Sequence, residues 1–194
     1  ERNGARTWCA LCALLAALAG ALWWAPRDAL DWQAPLAFAQ PWRLWSAAFV
    51  HWTPAHLAAN LVGCAVIAAF GAAARLPLHS TLAWLVAWPL AHAALALHPG
   101  LTRYGGLSGV LHAGVAVAAW HLLAAHRGRR RAIGAAVLAG LAIKLMLEEP
   151  WGAATVSRAG WDFALAPFAH LSGAATGLLC AAATTRWASD RGPR

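Results

Sequence analysis

The sequence has few charged residues. Asp, Glu, Lys and Arg make up 11% of its 194 residues, and only 7 residues are acidic. A soluble domain of this size carries about a quarter charged residues, so the composition excludes an ordinary soluble protein. The hydrophobic residues, 61% of the chain, fall in blocks rather than in an amphipathic rhythm. Such blocks predict transmembrane α-helices, because backbone groups within lipid must be hydrogen-bonded inside the protein.

Six apolar blocks predict six spans, of which the fifth is short. The breaks between them are a proline-rich stretch at 26–51, Pro77, Pro99-Gly100, the basic run at 126–131 and the turn at 148–152. Residues 1–194 are therefore predicted to form one all-α domain, a bundle of six transmembrane helices in a lipid bilayer. The predicted spans are about 7–25, 53–73, 79–97, 107–125, 132–147 and 164–184.

Patterns that bind a metal or a cofactor are sparse. Cys9 and Cys12 form a C-x-x-C pair, but no second pair follows, which argues against a zinc site. The nine histidines raise the alternative of a metal or haem protein. They scatter over both sides of the predicted membrane without the spacing of metal ligands. We therefore predict no metal and no cofactor.

The basic residues are distributed unevenly across the membrane. With a cytoplasmic N-terminus, four arginines lie outside and ten lie inside, which predicts that both termini are cytoplasmic. The net charge of +8 then reflects topology rather than nucleic-acid binding, because the arginines are dispersed among loops. The ten inner arginines are Arg2, Arg6, Arg75, Arg127, Arg129, Arg130, Arg131, Arg186, Arg191 and Arg194.

Polar side chains within the spans gather at one depth. His56 and Asn60 lie near the start of the second span, Ser108 at the start of the fourth and His170 near the start of the sixth. These three spans begin at the same face of the membrane. Any one such residue often serves only to hold helices together. Their shared depth favours a functional site near the outer surface.

The spacing of these residues indicates a chemistry. His170, Gly173 and Gly177 share one face of the sixth span, and the glycines let another helix approach closely. If that neighbour is the fourth span, His170 comes within hydrogen-bonding reach of Ser108. A serine hydroxyl becomes a useful nucleophile when an adjacent base takes its proton.

The residues around Ser108 fit the same chemistry. His56 and Asn60 lie one turn apart and can aim hydrogen-bond donors at a developing oxyanion. Gly105 and Gly106 allow a turn that brings the backbone N–H groups of the helix start near a substrate carbonyl.

Four short motifs of the chain resemble those of a known family, the rhomboid intramembrane serine proteases. Trp42-Arg43 is similar to the family's loop signature. The stretch HWTPAHLAAN at 51–60 is similar to its H-x4-H-x3-N element. GLSG at 106–109 resembles its G-x-S-G nucleophile motif, and HLSGAATG at 170–177 resembles its H-x2-G-x3-G element. Four elements in this order, one in the loop at 26–51 and three at the second, fourth and sixth spans, make the resemblance specific.

The resemblance implies a six-helix bundle with a Ser–His dyad and no acidic third member. Ser108 is then the nucleophile and His170 the base, while Asn60, His56 and the backbone N–H of Ser108 form the oxyanion hole. In many rhomboids a tyrosine stands four residues after the serine and packs on the catalytic histidine; here that position is His112. The remaining matched residues, implied to support the site, are His51, Arg43, Gly106, Gly109, Gly173 and Gly177.

The small size and the string GLSGVLH look most like the rhombosortase branch of the family. That resemblance implies a transmembrane substrate: an exported bacterial protein with a C-terminal Gly-Gly motif, one apolar helix and a basic tail. It also implies a place in the bacterial inner membrane, with the site open to the periplasm. The alternative is a rhomboid-like protein without activity that binds membrane clients. We expect substrate to approach sideways, near the short fifth span and the loop at 148–163.

Overall fold

The computed structural model describes residues 2–190, and it describes side chains for residues 3–187. Within that part, the chain forms eight α-helices, two short 3-10 turns at 47–49 and 95–97, and one antiparallel pair of strands, β1 (Trp32–Gln33) and β2 (Arg103–Tyr104). The helices are α1 (Arg2–Ala21), α2 (Arg27–Leu30), α3 (Arg43–Ser46), α4 (Pro54–Ala74), α5 (Leu78–Ala94), α6 (Ser108–Ala125), α7 (Gly128–Leu147) and α8 (Pro167–Asp190).

The long helices lie where the six spans are predicted, and the chain is a multi-pass membrane protein. Helices α7 and α8 are not among the described segments that are long and apolar enough to cross a membrane, and for them a crossing stays a prediction. Of the arginines counted on the inner side, Arg191, Arg194 and the side chain of Arg2 lie outside the described part. The segments that are long and apolar enough to cross a membrane are Asn3–Ala21, Pro54–Ala74, Leu78–Leu97 and Ser108–Ala125.

Two features differ from the sequence prediction. Helix α7 begins at Gly128, before the apolar block at 132–147, because the arginines at 129–131 favour helix although they are not apolar. The loop at 26–51 contains α2 and α3, each four residues long. The described part therefore has eight α-helices rather than six, since helices this short leave no periodic apolar pattern to detect.

Helix α4 has well-defined ends, which fix the residues of its first turns. The side chain of Thr53 accepts a hydrogen bond from the backbone N–H of His56 at 3.1 Å, and Pro54 occupies the first helical position. Arg75 ends the helix in the left-handed conformation, with φ of 53°. His56 and Asn60 therefore start from a capped, rigid turn.

Helix α6 lies at the centre of the bundle, packed against α4, α5, α7 and α8. A Cβ at Gly114 would lie 2.8 Å from the ring of Trp84 on α5, so only glycine admits that ring. The indole N–H of Trp84 donates to the carbonyl of Val110 at 2.7 Å. Trp84 also packs on Trp8 of α1, with ring centroids 4.4 Å apart. The core thus holds the helix whose first residue is Ser108.

Small residues bring α6 and α8 into backbone contact. A Cβ at Gly173 would overlap the carbonyl of Gly109, and one at Gly177 would lie 2.5 Å from the carbonyl oxygen of Ala113. The sixth predicted span therefore does lie beside the fourth. This contact places His170, one turn before Gly173, next to the start of α6.

Candidate active site

Ser108 and His170 meet at the start of α6. The Oγ of Ser108 lies 3.1 Å from Nε2 of His170. His170 is 4% exposed, whereas Ser108 is half-buried and reaches the cleft described below. The distance suits proton transfer from a hydroxyl to an imidazole nitrogen.

The other nitrogen of His170 faces a carboxylate. Nδ1 lies 2.8 Å from Oε2 of Glu148, the residue that follows α7. The resemblance implies a Ser–His pair with no acidic third member. The structure differs from that expectation, because the carboxylate of Glu148 lies beside His170. Sequence reasoning missed Glu148, because the acidic pair at 148–149 looks like a solvated turn.

Glu148 is held in its charged form. Its other oxygen accepts a hydrogen bond from Nζ of Lys144 at 2.7 Å. Burial acts to raise the pKa of Glu148, but the hydrogen bonds and charges of His170 and Lys144 outweigh burial and lower that pKa to about 2. A carboxylate, which only accepts hydrogen bonds, therefore faces Nδ1 of His170, and Nδ1 carries the hydrogen.

His112 stacks on His170, as the tyrosine does in many rhomboids. The ring centroids are 4.2 Å apart and the planes differ by 14°. Nδ1 of His112 donates to the carbonyl of Ser108 at 2.6 Å, which fixes the orientation of the His112 ring. His112 therefore limits the rotation of His170 without occupying its nitrogens.

The turn before α6 depends on glycine and on Tyr104. Gly106 has φ of 127°, and a Cβ there would lie 2.7 Å from Nε2 of His56. The hydroxyl of Tyr104 donates to the carbonyl of Gly106 at 3.0 Å and accepts from the backbone N–H of Gly109 at 3.2 Å. Tyr104 thus ties this turn to the helix start and lies 3.4 Å from the Oγ of Ser108. Tyr104 is the only tyrosine in the sequence, and no motif in the sequence indicates its contacts.

Asn60 and His56 supply donors on the opposite wall. Nδ2 of Asn60 donates one hydrogen to the carbonyl of His56 at 3.2 Å, which leaves its second hydrogen available. The backbone N–H of Trp52 points at Nδ1 of His56 at 3.5 Å, which favours a hydrogen on Nε2, the nitrogen nearest Gly106. Both side chains line the same cleft as Ser108.

His51 supports His56 rather than facing the cleft. Its Nδ1 donates to the carbonyl of Phe49 at 3.2 Å, and its ring lies edge-on to His56 with centroids 4.8 Å apart. Burial lowers the pKa of His51 to about 4, so this ring is neutral at ordinary pH. The ring of His56 also stacks on that of Phe163, with centroids 4.3 Å apart. His56 is therefore positioned by contacts with two rings.

Arg43 connects the loop at 26–51 to the site. The carboxylate of Asp31, fully buried, lies 3.2 Å from Nη1 of Arg43 and 2.7 Å from Nε of Arg103. Arg103 belongs to β2, where its neighbour Tyr104 pairs with Trp32 of β1. The two ion pairs share the buried carboxylate of Asp31 and therefore connect the loop to the segment that carries Tyr104 and leads into Ser108.

A cleft of about 1020 Å³ opens over Ser108. Its polar lining includes Ser108, His170, His112, Asn60 and His56. Its apolar walls come from α4, through Val62 and Val66, and from α7, through Val137 and Leu141. Val62 and Val66 are more than half exposed, so this side of the cleft faces the surroundings of the bundle.

The described residues do not form a metal site. Among the described side chains, residues 3–187, no three His, Cys, Asp or Glu side chains group in a way that holds a metal ion. The four cysteines, all within that range, are unpaired with one another. Nothing in this part of the chain favours the metal or haem alternative.

A known protein family matches most of the chain. The Rhomboid domain matches residues 39–187, which include every residue of the site. No curated protein matches the chain. Since the family match spans well over half of the sequence, the chain belongs to the rhomboid family, the intramembrane serine proteases that its sequence resembles.

Proposed function

We propose that this protein is an active intramembrane serine endopeptidase in which Ser108 is the nucleophile and His170 the general base. The observation that carries the proposal is the 3.1 Å contact between Oγ of Ser108 and Nε2 of His170 at the floor of the cleft. With the hydrogen of His170 on Nδ1, Nε2 offers a lone pair to the serine hydroxyl. This is the protonation state that a general base requires.

The reaction proceeds in two halves. Oγ attacks the substrate carbonyl while its proton passes to Nε2 of His170, and the imidazolium then donates that proton to the leaving amine. A water molecule deprotonated by His170 releases the acyl group and restores the serine. Nδ2 of Asn60, Nε2–H of His56 and the backbone N–H of Ser108 stabilise the oxyanion of each tetrahedral intermediate.

The substrate is a transmembrane segment that approaches between α4 and α7. Peptide bonds in a regular helix are shielded by their own hydrogen bonds, so the cleaved segment must unwind. The apolar walls of the cleft suit a substrate helix, and its polar end suits an unwound stretch. Weak helix formers such as glycine favour that unwinding.

The substrate class that we propose is an exported bacterial protein with a Gly-Gly pair, one apolar helix and a basic C-terminal tail. The string GLSGVLH and the small size of the chain support this assignment to the rhombosortase branch. A Gly-Gly break at the outer end of the substrate helix lies at the depth of Ser108. The basic tail keeps the C-terminus of that helix inside, which leaves the break on the outer face.

The topology we propose is one domain with six spans, including α7 and α8, in the bacterial inner membrane. Both termini are then cytoplasmic and the cleft opens to the periplasm. The basic run at 126–131 supports this orientation, because it joins α6 to α7 on the side opposite Ser108.

The alternative function is an inactive rhomboid-like protein that binds membrane clients. Such a protein needs no nucleophile. The presence of both Ser108 and His170, with their side chains in contact, favours the protease.

A reporter assay tests the proposal and its substrate class together. An exported reporter is fused to a Gly-Gly tail of the kind described and is co-expressed with the protein or with Ser108→Ala. We expect release of the reporter by the wild type, no release by Ser108→Ala, and little release when Leu-Leu replaces Gly-Gly. If a generic single-span rhomboid substrate is cut and the Gly-Gly tail is ignored, the substrate class is wrong while the protease assignment stands.

A further inference from the structure

The side chain of Glu148 turns inward at the outer end of α7. Glu148 and Glu149 stand side by side in the chain, but only Glu148 packs against the site: its side chain is 11% exposed, whereas Glu149 is exposed. Oε2 of Glu148 lies 2.8 Å from Nδ1 of His170, whose side chain is 5% exposed. A carboxylate so far removed from water requires partners, and it has two of them.

The distances decide where the hydrogens lie. Nζ of Lys144 lies 2.7 Å from Oε1 of Glu148 and 3.5 Å from Nδ1 of His170. An ammonium group donates and cannot accept, so the shorter contact with Glu148 is its hydrogen bond. Nδ1–H of His170 then donates to Oε2. Both oxygens of the carboxylate are satisfied, and Nε2 is left as the acceptor for Ser108.

We propose that Glu148 is a positioning residue of the protease, which extends the Ser108–His170 pair to a three-membered Ser–His–Glu arrangement. This inference rests on the function proposed above. Glu148 holds the imidazole in the tautomer and orientation that accept the proton of Ser108. It also stabilises the imidazolium that forms when that proton arrives at Nε2, and it stays unprotonated throughout.

The charges around His170 set the size of the effect. Glu148 contributes a negative charge and the half-exposed Lys144 a positive one, while the ring of His112 stacks on that of His170. The ammonium offsets part of the carboxylate's effect on the imidazolium. The loss of Glu148 should therefore cost less than the roughly 10⁴-fold fall in kcat that follows when the acid of a serine-protease triad is replaced by its amide.

Kinetics of the purified full-length protein test the inference. The substrate is the Gly-Gly tail fused to a reporter, in proteoliposomes, and a fluorophosphonate dye reports the reactivity of Ser108 without that substrate. We expect Glu148→Gln to lower kcat by about 10²- to 10³-fold, with KM changed by less than about 3-fold. The rate of labelling should fall in parallel. Glu148→Asp should recover part of the loss, because it restores the charge.

Two variants serve as matched controls. Glu149→Gln removes the neighbouring, exposed carboxylate and should retain the wild-type kcat. Lys144→Gln removes the other partner of Glu148 but leaves the bond to His170, so its kcat should change far less than that of Glu148→Gln. A purely structural role for Glu148 predicts instead a loss of thermal stability, with no recovery of kcat in Glu148→Asp.

The outcomes separate this inference from the proposed function. If Ser108→Ala and His170→Ala are inactive while Glu148→Gln keeps the wild-type kcat and labelling rate, the role of Glu148 is wrong and the protease stands. A rise in KM alone, or equal losses in Glu148→Gln and Glu149→Gln, also overturns the role of Glu148. If Ser108→Ala still cleaves the substrate, the proposed function fails, and the positioning role fails with it.

Discussion

Gly173 of α8 faces the carbonyl of Gly109 on α6 so closely that no side chain fits between the two helices. His170 lies one turn earlier on the same helix. The distance between His170 and Ser108 therefore depends on the absence of a side chain at position 173.

Gly173→Leu should push α8 away from α6 and disable the site. A displacement of about 1 Å between reacting groups costs around 10²-fold in rate, so we expect at least that loss in kcat. Gly20→Leu is the control, because a Cβ at Gly20 meets nothing within 4 Å. Full activity of Gly173→Leu would show that this close contact does not hold the catalytic pair together.

Asn60→Ala should lower kcat by roughly 10²- to 10³-fold, the usual cost of one oxyanion donor. The physical reason is that Nδ2 of Asn60 has a second hydrogen free to meet the charge that develops on the substrate oxygen. Steady-state kinetics should show the loss in kcat rather than in KM, since the ground-state carbonyl carries little charge. An unchanged kcat would remove Asn60 from the oxyanion hole.

Asp31→Ala should destabilise the loop at 26–51. Removing one partner from a buried ion pair leaves the other charge unpaired and costs roughly 3–5 kcal/mol. Arg43 would be that unpaired charge, so we expect a clear fall in Tm when the detergent-solubilised protein is heated. Asp28→Ala is the control, because the Asp28 side chain is 85% exposed and its contact with Arg103 is worth little. Equal Tm values for the two variants would contradict a stabilising role for the buried carboxylate.

Photo-crosslinking should locate the path of the substrate. A crosslinking amino acid at Val66 of α4 or at Leu141 of α7 should capture a transmembrane substrate in Ser108→Ala, because both positions line the cleft. The same amino acid at Leu14 of α1, which is 53% exposed but away from the cleft, is the control. Adducts confined to position 14 would show that substrate approaches at α1, which would contradict an approach between α4 and α7.

The sequence predicted those features whose residues recur with the period of an α-helix. The spacing of His170, Gly173 and Gly177 indicates one face of one helix, and the structure has that face against α6. The contact is predictable because glycine at every fourth position has few purposes other than close helix packing. The long helices follow from apolar blocks for the same reason, since each block is long enough to dominate its local sequence.

The sequence did not predict the contacts that depend on loops. Glu148 lies beyond the end of α7, and no periodicity distinguishes it from Glu149, which turns the other way. Tyr104 acts through its hydroxyl, whose partners are backbone groups that only the folded turn brings together. Helices α2 and α3 are stabilised by the hydrogen bonds of Arg43 and by other tertiary contacts, not by a local sequence pattern. Their residues are therefore predicted as loop from the sequence.

The most direct test of the proposed mechanism is cleavage by purified protein in proteoliposomes that contain a single-span substrate. We expect cleavage by the wild type and by Ser172→Ala, a matched control whose buried hydroxyl only donates to the carbonyl of Ala169 at 3.1 Å. We expect no cleavage above the enzyme-free background by Ser108→Ala, which removes the nucleophile and little else. Measurable turnover by Ser108→Ala would contradict the assignment of Ser108 and, with it, the proposed mechanism.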